Sequence, residues 1–202
     1  MIFQFVRVKS YFSNKFIFIN CTICTMTNQR HHSIAIFGCG NILFGDDGVG
    51  PAVIEALKGR DLPPLVLIED AGTGIRERLF DYLLEPALRP ELIIIVDAVD
   101  FAGMPPGEVF ELRPADIPAR KVHDFSLHQF PTVNMLAELE EGSGTEVKIL
   151  AVQVESIPDH VRPGLSAPVA GAVERVCSTI VELVRNKISR EVNSHDLRVS
   201  CN

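Results

Sequence analysis

Three continuous apolar runs in the first half of the chain predict buried strands. They cover residues 34–37, 65–68 and 92–96, and small and acidic residues follow each of them. Runs this uniformly apolar are typical of strands that are covered on both faces, as in parallel sheets. We therefore expect a largely parallel sheet in which all three runs are buried and end before the first acidic residue.

Apolar residues at helical spacing separate these strands. One predicted helix carries Pro51 in its first turn, and a second covers residues 75–84. Farther along, residues 107–112 alternate as in an edge strand, residues 146–154 predict a further strand, and Ser166 begins a long closing helix. This alternation predicts an α/β fold with three layers: a mostly parallel twisted sheet with helices on both faces.

Composition divides the chain into three parts. Residues 1–33 are rich in Phe, Ile, Lys and Asn, and we interpret them as a disordered extension or a misassigned start, with Met26 as the alternative initiator. Residues 34–188 are expected to form a single α/β domain. Residues 189–202 are polar, which predicts a flexible tail.

Charge and composition narrow the classes of function. The 202 residues carry a formal net charge of -7 and no Lys/Arg cluster, which argues against a nucleic-acid partner. No apolar run is long enough to span a bilayer, so no membrane partner is expected. The five cysteines are few and scattered, a usage typical of reduced thiols in the cytoplasm.

Acidic residues recur at the end of each predicted strand. They are Asp46 and Asp47 after the first strand, Asp70 after the second, and Asp97 and Asp100 after the third. Because right-handed crossovers bring the ends of parallel strands to one edge of a sheet, these carboxylates are expected to gather at one rim. Asp is also a common residue in turns and helix caps, so separate local roles remain an alternative.

Two histidines follow the predicted edge strand. His123 and His128 lie between that strand and the next helix. A histidine is more often structural than a ligand, but imidazole combined with carboxylates is a donor set that binds Ni²⁺, Zn²⁺ or Fe²⁺. The residue types alone therefore allow a transition-metal site at the rim.

Six short motifs follow one another in a fixed order between residues 34 and 186. They are Gly38-Cys-Gly-Asn41 with Leu43, Asp46-Asp47-Gly48, Asp70-Ala-Gly-Thr, Val96-Asp97-Ala98, Ser126-Leu-His128-Gln129 and Leu165-Ser166. The ordered set resembles the hydrogenase maturation proteases, endopeptidases that trim the C-terminal tail of a [NiFe]-hydrogenase large subunit.

The resemblance implies a function and a set of site residues. Asp47, Asp97 and His128 match the family positions that contact nickel, and Asp70 is a candidate for orienting the site or assisting water. The nickel is expected to arrive with the partner, the hydrogenase large-subunit precursor, so that cleavage follows nickel insertion and no organic cofactor is needed. The catalytic set is therefore expected to be Asp47, Asp97, His128 and Asp70.

Two positions depart from the family pattern, and one segment indicates a branch of the family. The family often has Glu where this chain has the shorter Asp47, so the metal geometry can differ. The Gln-Pro-Glu that the family carries after its late strand is Gln153-Val-Glu155 here. Residues 124–131 look like the branch that serves the coenzyme F420-reducing hydrogenases.

Three other classes of protein remain as alternatives. A dinucleotide-binding fold would use Gly38-x-Gly40, but Leu43 occupies its third glycine position and two carboxylates would face a pyrophosphate. A Mg²⁺-dependent phosphoryl-accepting domain needs a lysine at the end of a late strand, whereas Lys148 lies near the start of its strand. A non-catalytic nickel-site docking or chaperone module would use the same residues as the protease.

Overall fold

A computed structural model of the chain describes residues 32–116 and 130–199, with the side chains of 130–133 and 191–199 left aside. Five strands in this part of the chain form one sheet. They are β1 (Ile34–Cys39), β2 (Val66–Gly72), β3 (Leu92–Val99), β4 (Val109–Leu112) and β5 (Glu146–Gln153). Their order is β2-β1-β3-β5-β4, and only β4 runs antiparallel to its neighbour. The prediction of a mostly parallel sheet with residues 107–112 at an edge is confirmed.

Four α-helices cover the two faces of the sheet in the described residues. They are α1 (Val49–Leu57), α2 (Ile75–Leu84), α3 (Phe130–Ser143) and α4 (Ala167–Val199). Helices α1 and α4 share one core cluster with the sheet, and α2 and α3 share the other. The three-layer α/β prediction is therefore confirmed, and no described helix is long and apolar enough to cross a bilayer.

The central strand β3 shows how one apolar run supplies both cores. Successive side chains of a strand point to opposite faces. Ile94 and Val96 accordingly join the cluster of α1 and α4, whereas Ile93 and Ile95 join the cluster of α2 and α3. A strand buried on both faces must be apolar at every position, which explains the continuous run.

Strand β2 departs from this expectation. It lies at the edge of the sheet, and its apolar residues are only half-buried. Val66 and Ile68 still pack against one core cluster and Leu67 against the other, so both faces of β2 are covered. The prediction that this run is fully buried is wrong, because a strand with one neighbour leaves its outer edge open to solvent.

The strands also extend beyond their apolar runs. β2 continues to Gly72 and β3 to Val99, so Asp70 and Asp97 lie within strands, and the prediction that they follow the strand ends is wrong in this respect. The physical reason is the backbone ladder: the parallel partner strands continue to supply hydrogen-bonding groups opposite these acids.

Helix α4 runs past the predicted domain boundary at residue 188 and ends at Val199. Neither Gly nor Pro occurs after Gly171, so nothing in the sequence stops the helix there. The flexibility of residues 189–202 remains a prediction. The interpretation of residues 1–33 as an extension also remains a prediction, because residues 1–31 lie outside the described residues.

Two glycines allow α1 to approach the sheet at backbone distance. A Cβ built on Gly38 would lie 2.4 Å from the carbonyl oxygen of Gly50. A Cβ on Gly50 would lie 2.1 Å from the carbonyl oxygen of Cys39 and 2.7 Å from that of Val96. The start of α1 is thus pressed against β1 and β3, which fixes the turn that precedes it.

We expect Gly50→Ala to lower the free energy of unfolding by about 1–3 kcal/mol, because its methyl group collides with backbone that cannot move aside. Gly171→Ala is the matched control: a Cβ there meets nothing within 4 Å, and the better helix propensity of alanine should raise stability by about 0.5–1 kcal/mol. Urea denaturation of the two variants checks this. Equal stability of Gly50→Ala and the wild type would contradict the packing described.

Candidate active site

The adjacent acids Asp46 and Asp47 lie in a short 3-10 turn, Gly45–Gly48, between β1 and α1. Asp46 is only 1% exposed, and its carboxylate accepts four hydrogen bonds. The donors are the backbone N–H groups of Glu155 (2.9 Å), Ser156 (3.3 Å) and Ser166 (2.6 Å), and the Ser166 hydroxyl (2.9 Å). A carboxylate has about four lone-pair sites, so these bonds saturate it. Asp46 therefore holds the segment 155–166 and is unsuited to bind a metal.

Asp47 has a different environment in the same turn. It is half-buried, and its Oδ2 accepts the backbone N–H of Asn41 at 2.7 Å. Gly40 has a φ of +117°, and a Cβ on it would lie 1.8 Å from the carbonyl oxygen of Asp47. The tight contact with Gly40 fixes the Asp47 backbone, and the Asn41 bond orients its side chain.

Asp97 is fully buried inside β3. Its Oδ1 accepts the N–H of the next residue, Ala98, at 2.9 Å, and it pairs in register with Ala151 of β5. The residue before it, Val96, pairs with Gly38 of β1. Asp97 therefore lies one residue beyond the level of Gly38.

Asp70 lies on the other side of β1. It pairs in register with Gly38, is exposed, and accepts the N–H of Gly72 through Oδ1 at 3.0 Å. The carbonyl oxygen of Gly72 in turn accepts the N–H of Gly40 at 3.0 Å, which ties the end of β2 to the turn after β1. Because adjacent strands are about 5 Å apart, Asp70 and Asp97 flank β1 at nearly the same level.

The buried thiol of Cys39 feels the charge of three carboxylates. Burial raises its pKa well above the ordinary value, and the negative charges of Asp97, Asp70 and Asp47, in that order, raise it further. These three acids therefore act electrostatically on one thiol, and we call Asp47, Asp70 and Asp97 the acidic rim. Since the thiol stays protonated, it is unsuited to act as a thiolate nucleophile. The sequence showed Cys39 only as one letter of a motif, with no signal for this environment.

Asp100, the last acid of the predicted rim, contacts Gln153. The side-chain amide of the buried Gln153 donates to Asp100 Oδ1 at 3.2 Å, and its Oε1 accepts the N–H of Phe101 at 2.8 Å, which braces the loop after β3. His123 and His128 lie outside the described residues, so the role of His128 stays a prediction. Within residues 32–116 and the described part of 130–199, no three His, Cys, Asp or Glu side chains are arranged to hold a metal ion.

The alternative of a phosphoryl-accepting domain finds no support in this arrangement. Lys148 pairs in register with Ile94, well before the ends of the strands, and it forms ion pairs with Glu111 and Glu146. Among the described residues, β5 therefore brings no lysine to the rim. A dinucleotide would meet the carboxylates of this rim with its pyrophosphate, which is electrostatically unfavourable.

Fold and rim together define a three-layer α/β protein with three acids near the carboxyl ends of its parallel strands. A family model described as hydrogenase maturation protease matches residues 51–183. The hydrogenase 2 maturation protease of Escherichia coli (strain K12) is 34% identical over 163 residues, which cover 78% of this chain and 96% of that protein. The chain belongs to the hydrogenase maturation protease family, and it is therefore a peptide-bond hydrolase by class.

Two further similarities agree with this assignment. The coenzyme F420 hydrogenase subunit delta of Methanothermobacter thermautotrophicus is 34% identical over 154 residues, which cover 74% of this chain and 92% of that protein. The solved structure of the hydrogenase maturating endopeptidase HybD from E. coli superposes with a TM-score of 0.63 at 28% identity, covering 76% of this chain and 93% of that one. The resemblance drawn from the six motifs is confirmed.

The environment of Cys39 makes stability depend on pH. Its raised pKa keeps the folded thiol protonated where the unfolded chain has lost that proton, so the unfolded state binds fewer protons. The free energy of unfolding should then fall as the pH rises above the ordinary thiol pKa of 9.0, by up to about 1.4 kcal/mol per pH unit. We expect Cys39→Ala to flatten this decline, measured by urea denaturation from about pH 8 to pH 10.5.

Cys177→Ala is the matched control for that measurement. Cys177 is also a buried free thiol whose pKa is raised by burial. The charges that shift its pKa further are those of Arg60 and Glu174, not those of the rim carboxylates. It should flatten the decline less than Cys39→Ala does. Identical pH slopes for Cys39→Ala and the wild type would show that folding does not raise the pKa of this thiol.

Proposed function

We propose that this chain removes the C-terminal tail of a [NiFe]-hydrogenase large-subunit precursor once nickel has been inserted, with the precursor's nickel as the recognition element. The observation that carries the proposal is the placement of Asp47, Asp70 and Asp97 around the carboxyl end of β1 in a member of this family. Free thiols at Cys39 and Cys177 suit a reaction in the reducing cytoplasm.

The electrostatics of the acidic rim support recognition of a cation. Three carboxylates around one buried thiol repel each other, and a divalent ion between them relieves that repulsion. Asp47 and Asp97 offer carboxylate oxygens, and His128 is proposed to add an imidazole, a donor set that suits nickel. A precursor without nickel brings no positive charge to the rim and gains no such attraction.

The environments of the acids suggest how the peptide bond is cleaved. Asp70 is the exposed member of the rim, and one of its oxygens is oriented by the Gly72 N–H. It is suited to take a proton from water as the water attacks the scissile carbonyl, and to pass that proton to the leaving amine. The protonated Cys39 argues against a covalent thioester step, so we propose direct attack by water.

We further propose that the substrate belongs to the coenzyme F420-reducing hydrogenases. Support comes from the likeness of residues 124–131 to that branch and from the 34% identity to the M. thermautotrophicus subunit named for this hydrogenase. The large-subunit precursor of that hydrogenase is therefore the first substrate to test, with the E. coli hydrogenase 2 precursor as the comparison.

The decisive experiment incubates the protein with nickel-loaded and nickel-free forms of the M. thermautotrophicus precursor and follows the tail by mass spectrometry. We expect release of the tail from the nickel-loaded form only, and slower release from the E. coli precursor. Stable binding of the loaded precursor without cleavage would indicate a nickel-site docking module. Equal cleavage of loaded and nickel-free precursor would exclude nickel as the recognition element.

His128→Ala should abolish processing of the nickel-loaded precursor and leave the fold intact, because it removes the imidazole donor from the proposed nickel contact. His123→Ala is the matched control, a histidine of the same segment that the family motif does not include, and it should retain activity. Circular dichroism checks the fold and the mass assay checks processing. Normal processing by His128→Ala would remove this residue from the site.

A further inference from the structure

We propose that Asp46 is a positioning residue for the cleavage reaction: it holds the turn that carries Asp47 in a fixed place against the segment 155–166 and the start of α4. The inference rests on the proposed function, because it assigns the pair Asp46 and Asp47 two different tasks in one reaction. Asp46 contacts neither substrate nor metal and acts through its neighbour.

The contacts of Asp46 join parts of the chain that are far apart in sequence. Its carboxylate accepts hydrogen bonds from residues 109 to 120 positions later, at Glu155, Ser156 and Ser166. Without a carboxylate at this place, three backbone N–H groups and one hydroxyl would lose their acceptor. A buried donor left unpaired costs about 1–3 kcal/mol, so the arrangement is stable only as a whole.

Backbone hydrogen bonds also join residues 43–45, where the turn begins, to the segment 155–166. Arg162 accepts the N–H of Gly45 at 2.9 Å and donates its own N–H to Leu43 at 2.9 Å, and Phe44 pairs with Arg162 as an isolated parallel bridge. This bridge sets the distance between the two segments. Asp46 then fixes the rotation of the turn, since its side chain links the residue after Gly45 to the segment 155–166.

The longest helix of the chain stabilises this arrangement. Ser166 directly precedes α4 (Ala167–Val199), and both its N–H and its hydroxyl donate to Asp46. The positive end of the helix dipole favours a carboxylate at this place. The packing of α4 on the sheet therefore determines where Asp46 lies, and Asp46 in turn determines where the next residue, Asp47, can place its carboxylate.

Turnover should depend on this chain of contacts. Displacing a reacting group by about 1 Å can lower a rate on the order of 100-fold. Asp47 is adjacent to Asp46 in a four-residue turn, so a change at Asp46 cannot be absorbed before it reaches Asp47. The expected consequence is a loss of kcat in a protein that remains folded.

The test measures kcat for the nickel-loaded M. thermautotrophicus precursor at a temperature where each variant is folded. Asp46→Asn keeps the shape but replaces one acceptor oxygen by an NH₂ group that faces other donors, so we expect kcat to fall about 10- to 100-fold. Ser166→Ala removes one donor, and we expect a fall of about three- to tenfold. Amide hydrogen exchange at Glu155 and Ser156 should accelerate in Asp46→Asn.

Two matched variants separate positioning from a general loss of stability. Asp116→Asn changes a carboxylate that likewise accepts a backbone N–H, from Arg113 at 2.9 Å, but in an exposed turn away from the rim. Ser166→Thr keeps the hydroxyl that Ser166→Ala removes. We expect both to keep kcat within about twofold of the wild type.

The outcomes are distinct. A folded Asp46→Asn with wild-type kcat would overturn the positioning role. If Asp46→Asn does not fold, Ser166→Ala against Ser166→Thr decides, and equal kcat for these two would overturn it as well. A wild type that binds but does not cleave the loaded precursor would instead defeat the proposed function, and this inference with it.

Discussion

Close contact between backbone segments determines where the acids of this protein lie. Helix α1 can approach β1 and β3 only because Gly38 and Gly50 have no side chains, and the turn before it closes only because Gly40 has none. These contacts leave the Gly45–Gly48 turn little freedom. The carboxylates at the rim are thus placed by steric constraints on backbone, which hold whether or not a metal is present.

A rigid scaffold keeps three acids within electrostatic range of one buried thiol. Asp97 is fully buried and Asp47 half-buried, and together with Asp70 they raise the pKa of that thiol. The apolar cores on both faces of the sheet hold these acids in place. Under the proposed function, the negative charge of the rim attracts the metal on the substrate.

The sequence pattern predicts the scaffold better than the site. The three apolar runs and the helical spacing locate β1, β3, α1 and α2 because each signal is local. Strand ends were misplaced at Asp70 and Asp97, since a polar side chain can follow an apolar run while the backbone ladder continues. The burial of β2 was overestimated because edge position depends on strand order, which no local pattern records.

The roles of individual acids were harder to predict for a similar reason. The donors that saturate Asp46 come from residues 155–166, and the contribution of Gln153 depends on a loop about 50 positions earlier. From the local pattern by itself, Asp46 and Asp47 are equivalent candidates for a cap or a ligand, and only the family resemblance selects Asp47. Long-range hydrogen bonds distinguish them, and these appear only after the chain has folded.

The different roles of Asp46 and Asp47 also explain how a side chain shorter than Glu can serve at position 47. Asp47 has one torsion fewer than the Glu that the family often carries, so it loses less conformational entropy when fixed. Its Oδ2 is held by the Asn41 N–H at 2.7 Å, a bond that depends on the short side chain staying close to its own turn. The shorter side chain reaches less far, so under the proposed function the metal comes nearer to the turn. Because Asp46 and Gly40 hold that turn in place, the reduced reach is combined with a well-defined position, and the shorter acid remains compatible with metal contact.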